Sequence, residues 1–120
     1  MKIVITSQGP DMNSAVDPRF GRAACFITVD SDTGEFTAYD NSTGLNAAQG
    51  AGVQAGRYVA DLGVKAVITG QVGPKAFATL AAAGVTVYTG ASGTVQEALE
   101  SYKSGQLSAA AGASVQGRWS

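Results

Sequence analysis

An α/β fold built on a five-stranded mixed sheet follows from three features of the sequence. Short Ile- and Val-rich runs recur along the chain. In the second half they alternate with segments of helical spacing. Near the start, two of them are joined by a turn too short to hold a helix. Strands alternating with helices imply parallel pairing, with helices on the sheet faces, whereas a tight turn implies an antiparallel hairpin. The order read this way is β-β-β-α-β-α-β-α.

The first strand is Lys2–Ser7, which alternates and is rich in Ile and Val. Gln8 to Arg19 reads as a loop, because Gly9, Pro10, Asn13 and Pro18 punctuate it. Ala24–Asp30 and Glu35–Tyr39 are the strands of the hairpin, and Ser31-Asp32-Thr33-Gly34 is its turn. A polar loop, Asn41–Asn46, leads to the first helix, Ala47–Leu62. That helix carries Ala51, Ala55, Val59 and Leu62 at helical spacing, with Asn46 and Gln49 as a capping pair and Gly63 as a stop. Gly50, Gly52 and Gly56 weaken it, each by about 1 kcal/mol relative to alanine, so its start reads partly as loop.

Val64–Thr69 is the next strand. Pro74 then opens a helix whose apolar face is Phe77, Leu80 and Ala81 and whose end is Gly84. Val85–Thr89 is the last strand. Thr94-Val95-Gln96-Glu97 is a capping box, and its helix buries Val95, Ala98, Leu99 and Tyr102 before Gly105 ends it. Residues 1–105 thus form one α/β domain. Residues 106–120, mostly Ser, Ala, Gly and Gln with Trp119 among them, read as a flexible C-terminal tail.

Composition removes several classes of function. The net charge is −1 with no basic run, so the basic stripe of a nucleic-acid binder is missing. No apolar run is long enough to span a membrane, and residues 1–7 lack a signal-peptide cleavage site. The expectation is a cytoplasmic protein. Histidine is absent and Cys25 is the only cysteine. That rules out a four-ligand zinc site, a cluster on four thiolates and any catalytic arrangement needing histidine.

What remains points to an anion. Asp17-Pro18-Arg19-Phe20-Gly21-Arg22 places two arginines around a glycine in a chain with only 8 basic residues. Arginine offers a fixed fork of donors, and glycine admits close approach of a ligand to the backbone. The competing reading is a surface pairing of Arg19 and Arg22 with Asp17 or Asp11. Three strand ends also look alike: Thr6-Ser7, Thr69-Gly70 and Thr89-Gly90. If those strands are parallel neighbours, their ends meet at the edge where open α/β sheets bind ligands. Gly70-Gln71-Val72-Gly73-Pro74 is the best local case, since it runs from a strand into a helix N-terminus that favours anions. It is neither a Walker loop nor a Rossmann fingerprint.

Other residues carry two readings each. Met12 can touch a sulfur-rich ligand or pack its loop. Cys25 can ligate or act as a small hydrophobe. Asp30, Asp32 and Glu35 can hold a cation or form a solvated turn, and Lys75 can steer an anion or stay solvated.

Several segments resemble the nitrogenase iron–molybdenum cofactor biosynthesis family. They are Met1-Lys2-Ile3-Val4-Ile5, Arg19-Phe20-Gly21-Arg22-Ala23, Phe26-Ile27-Thr28-Val29-Asp30, Gln49-Gly50-Ala51-Gly52, Gly63-Val64-Lys65-Ala66-Val67-Ile68, Gly73-Pro74-Lys75-Ala76-Phe77 and Leu80 through Val85. The match covers about residues 1–105. The resemblance implies a ribonuclease H-like motif and the binding of a metal–sulfur cluster. Within the family, size and poverty in Cys and His make the chain similar to the stand-alone orange-protein branch. That branch holds a molybdenum–copper sulfide cluster without protein thiolates.

The function expected is non-enzymatic binding or carrying of such a cluster, or of a related iron–molybdenum–sulfur cluster. The cofactor-binding residues expected are Met12, Arg19, Phe20, Gly21, Arg22, Gly50, Gly52, Gly70, Gln71, Gly73, Pro74, Thr89 and Gly90. A protein that donates or receives the cluster is an expected partner, nucleic acid and membrane are not, and the chain is read as a monomer. The alternatives are a regulatory interaction module and a metal-dependent nuclease. The latter would need clustered carboxylates, and Lys2–Ser7 has none.

Overall fold

Lys2–Ser7, β1, is buried from its second residue to its last, which places it at the middle of the sheet with both faces covered. The computed structural model describes residues 1–41 and 51–110 of the chain. The other strands are β2 (Cys25–Asp30), β3 (Phe36–Asp40), β4 (Ala66–Ile68) and β5 (Thr86–Tyr88), in the spatial order β3-β2-β1-β4-β5. The hairpin β2–β3 adds to β1 antiparallel, with Lys2 opposite Asp30 and Ser7 opposite Cys25. β1, β4 and β5 are parallel, with Val4, Val67 and Val87 in register. The sheet is mixed, and the order of elements is the one the sequence predicts.

Strand periodicity splits the core in two. One face carries Val4, Phe26, Val67 and Val87 and is covered by α1 (Ala51–Asp61) and α2 (Pro74–Ala82), through Ala55, Val59, Ala76 and Leu80. The other carries Ile3, Ile5, Ile27 and Ile68 and is covered by α3 (Val95–Lys103), through Val95, Ala98 and Leu99. Gly56 lets α1 lie against α2, since a Cβ there would stand 3.0 Å from the Thr79 methyl group.

Several expected boundaries shift. β4 and β5 are shorter than Val64–Thr69 and Val85–Thr89, although ladder bonds continue past them from Lys65 N to Lys2 O and from Thr69 N to Tyr88 O. β2 starts at Cys25, and β3 runs from Phe36 to Asp40. On α2 the buried pair is Ala76 and Leu80, with Phe77 half-buried, while Ala81 faces solvent. Ala76 and Leu80 lie one turn apart on the stripe that meets the sheet, and Ala81 lies past its border. Tyr102 is half-buried, its ring edge-on to Tyr88 at 5.1 Å. The capping box forms as expected, with Thr94 and Glu97 each bonding the other's backbone N–H. The first part of the expected tail is docked: Leu107 packs on the α3-side core, Ala109 pairs with Tyr88, and Ala110 N donates to Val87 O at 2.7 Å. Asn46, Gln49, Gly50 and Trp119 lie outside the described residues.

Candidate anion site at the carboxyl edge of the sheet

Parallel alignment of β1, β4 and β5 brings the three similar strand ends to one edge. Thr6 Oγ1 lies 2.8 Å from Thr69 Oγ1 and 2.7 Å from Asp17 O, and donating to the carbonyl while accepting from Thr69 satisfies it. Gly90 N donates to Gly70 O at 2.9 Å, and Ala91 N to Thr69 O at 3.2 Å. The loop after β5 is thus tied to the loop after β4.

The Asp17–Arg22 segment lies alongside that edge. Gln71 N donates to Pro18 O at 2.7 Å and Phe20 N donates to Gln71 O at 3.2 Å, so Arg19 and Gln71 pair as in a parallel ladder. Phe20 anchors the segment: its side chain is fully buried in the α1/α2-side core, 5.8 Å from the Phe26 ring. It points inward and offers no wall to a ligand. Gly21 is buried and Arg22 half-buried. Gly70 is required by packing, because a Cβ would fall 2.6 Å from Pro18 Cα. The seam therefore explains Gly70 before any ligand does.

Arg19 realises the pairing reading. Asp17 is 1% exposed, and its Oδ1 accepts from Arg19 N at 3.0 Å and Nε at 3.3 Å. Its Oδ2 accepts from Arg19 Nη2 at 3.5 Å and Ala24 N at 3.3 Å. The Arg19 side chain is still 38% exposed. Sequence reasoning raised Asp17 only as a surface partner. The signal for more was an acid two residues before an arginine, next to a proline, in a loop whose one other acid is Asp11.

The helix N-termini differ. Thr94 and Glu97 cap α3, and its Val95 and Gln96 N–H groups donate to Ser14 O and Met12 O at 2.9 Å each. That end is closed to a ligand. At α2, Gly73 is the N-cap without a side-chain cap, and Pro74 has no N–H to give. Gln71 leads into it, and its buried side-chain oxygen has no hydrogen-bond partner among the described residues. An unpaired buried polar atom is unusual. A half-turn of the amide presents a donor at the same place.

The structure thus brings Arg19, Gly70, Gln71 and Gly90 together, with Gly73 and Pro74 at the adjoining helix start. Thr89 is half-buried beside Gly90. Met12 packs on the α3-side core, on the other face of the sheet from Phe20. Gly52 lies in the first turn of α1, and Gly50 lies outside the described residues.

Cys25 stands opposite Ser7 and Asp40 at the same edge. Burial, and then the carboxylates of Asp40 and Asp17, push its thiol above the usual 9.0. Asp30 and Asp32 instead tie the hairpin turn to the chain start. The Met1 amine lies 2.9 Å from Asp32 and 3.5 Å from Asp30, and Asp30 also accepts from Asp32 N and Thr33 N. A separate hollow of about 250 Å³ beside the hairpin, lined in part by Lys2, Asp30, Glu35 and Tyr39, is at the opposite edge of the sheet. Among the described residues no three His, Cys, Asp or Glu are grouped to hold a metal ion, and no helix is long and apolar enough to cross a membrane.

The fold makes this an α/β protein with a mixed five-stranded sheet. The chain belongs to the dinitrogenase iron-molybdenum cofactor family, whose model matches residues 1–105. It is similar to the orange protein of Desulfovibrio gigas, solved in its apo form, at 40% identity and a TM-score of 0.92, covering 95% of this chain and 96% of that one. A Thermotoga protein of the DUF35 family is 38% identical, with a TM-score of 0.79 and coverage of 90% and 91%. An uncharacterized protein of Methanocaldococcus jannaschii is 29% identical over 109 residues, 89% of each chain.

Proposed function

We propose that this protein binds and carries an anionic metal–sulfur cluster and catalyses no reaction on it. The cargo in this reading is a molybdenum-containing thioanion such as a molybdenum–copper sulfide, held by charge and hydrogen bonds. The observation that carries the reading is the seam of Arg19 and Gln71 beside the uncapped start of α2. It gathers a part-exposed guanidinium, a buried amide oxygen without a hydrogen-bond partner among the described residues and a helix N-terminus; the guanidinium and the helix start suit an anion, as does the amide once turned to present its N–H. The donor set fits a preassembled cluster better than one built on protein ligands, because the chain has one cysteine and no histidine. Membership of a cofactor family supports a cluster as the anion, as does similarity to a protein solved in an apo form.

Arg22 and Lys75 add positive charge near the seam and the start of α2, and Gly73 allows a ligand near the backbone there. Adding tetrathiomolybdate and copper(I) to the purified protein tests the reading. The expected result is a visible absorption that migrates with the protein through gel filtration. Colour that stays with the small-molecule fraction would overturn it. Metal analysis of native protein then distinguishes a molybdenum–copper cargo from an iron–molybdenum one.

A further inference from the structure

The geometry points to Asp17 as the positioning residue for the anion grip, acting through Arg19. This rests on the cargo reading above. The Asp17 side chain is 2% exposed, and the residue is fixed to the central strand at both backbone groups. Its N donates to Thr6 O at 3.0 Å, and its O accepts from Thr6 Oγ1 at 2.7 Å. From that base its carboxylate takes Arg19 N and Ala24 N, drawing together the two ends of the loop that carries both arginines. It also takes Arg19 Nε and Nη2. A guanidinium has five N–H donors, so Asp17 leaves three of them untaken on a side chain that is 38% exposed.

The arrangement trades charge for orientation. Asp17 offsets the charge of Arg19, so a purely coulombic site would bind an anion better without it. A positioned fork, however, loses less rotamer freedom when the ligand arrives. The two effects have opposite signs in the Asp17→Asn variant, which keeps the shape and removes the charge.

Affinity for tetrathiomolybdate alone, measured by calorimetry, separates them. Asp17→Asn is expected to weaken binding about tenfold when Arg19 is present, and by less than twofold in an Arg19→Gln background. Tighter binding, or an equal loss in both backgrounds, would overturn the inference. A second measurement needs no variant. In the unaltered protein, the Arg19 Nε–H resonance should exchange slowly with solvent both before and after tetrathiomolybdate is added. An Nε–H that exchanges like that of a free arginine overturns the positioning role while leaving the cargo reading intact. Failure of the unaltered protein to bind the probe overturns the cargo reading, and this role with it.

Discussion

Gly70 and Pro18 approach so closely that the smallest side chain cannot fit between them: a Cβ on Gly70 would lie 2.6 Å from Pro18 Cα and 2.9 Å from its carbonyl oxygen. The contact is backbone against backbone, so neither side can give way by a change of rotamer. Gly70→Ala should therefore push the Pro18–Phe20 segment off the end of β4. The cost expected is that of overpacking, about 1–3 kcal/mol, and urea denaturation would read it. The bonds from Gln71 N to Pro18 O and from Phe20 N to Gln71 O should lose hydrogen-exchange protection in the same variant.

The two arginines make a prediction about binding. Replacing both Arg19 and Arg22 with alanine should lower tetrathiomolybdate affinity by tenfold or more, since charge-assisted hydrogen bonds contribute about 1.5–3 kcal/mol. Arg19→Lys keeps a cation beside Asp17 but loses the fork, and should recover only part of the loss. Full recovery, followed by calorimetry, would show that charge alone suffices.

Closure of the α3 N-terminus supplies a control. Thr94→Ala removes half of the capping box and should cost about 1 kcal/mol. Because that end is already occupied by Ser14 O, Met12 O and the Thr94 and Glu97 side chains, anion affinity should not change. Thermal melting reads the first effect and calorimetry the second.

Cys25 predicts a pH dependence. Its thiol is raised above 9.0 by burial, then by Asp40 and Asp17. With the native value above the unfolded one, the protonated thiol contributes stability below pH 9.0, and that contribution is lost as pH rises through the native value. Alkylation by iodoacetamide should therefore be slow at neutral pH, and the midpoint of its rise with pH should lie above 9.0. Asp40→Asn should move the rise to lower pH.

Much of the fold was legible because its signals are local. The Ile- and Val-rich run of β1, the turn after Asp30, Pro74 at a helix start and the Thr94–Glu97 box each act within a few residues. Two arginines around a glycine suggested a grip for an anion, but the sequence said nothing of how that segment packs. Phe20 looked like part of the grip, yet its ring is the anchor. Met12 looked close to the arginines in the chain, yet it packs on the other face. Gly70 looked like an opening for a ligand, and packing against Pro18 already requires it.

The sequence by itself determined the order of elements and the poverty in cysteine and histidine, because periodicity, caps and composition are properties of neighbouring residues or of the whole count. Only the tertiary structure decided that β1 and β4 lie side by side, so that Thr6 meets Thr69, that Pro18 closes on Gly70 and that a buried Asp17 holds Arg19. Most of those relationships join residues far apart in the chain. The Asp17–Arg19 pair is local, but its orientation comes from a carboxylate held on the central strand through Thr6, and no local pattern carries that information.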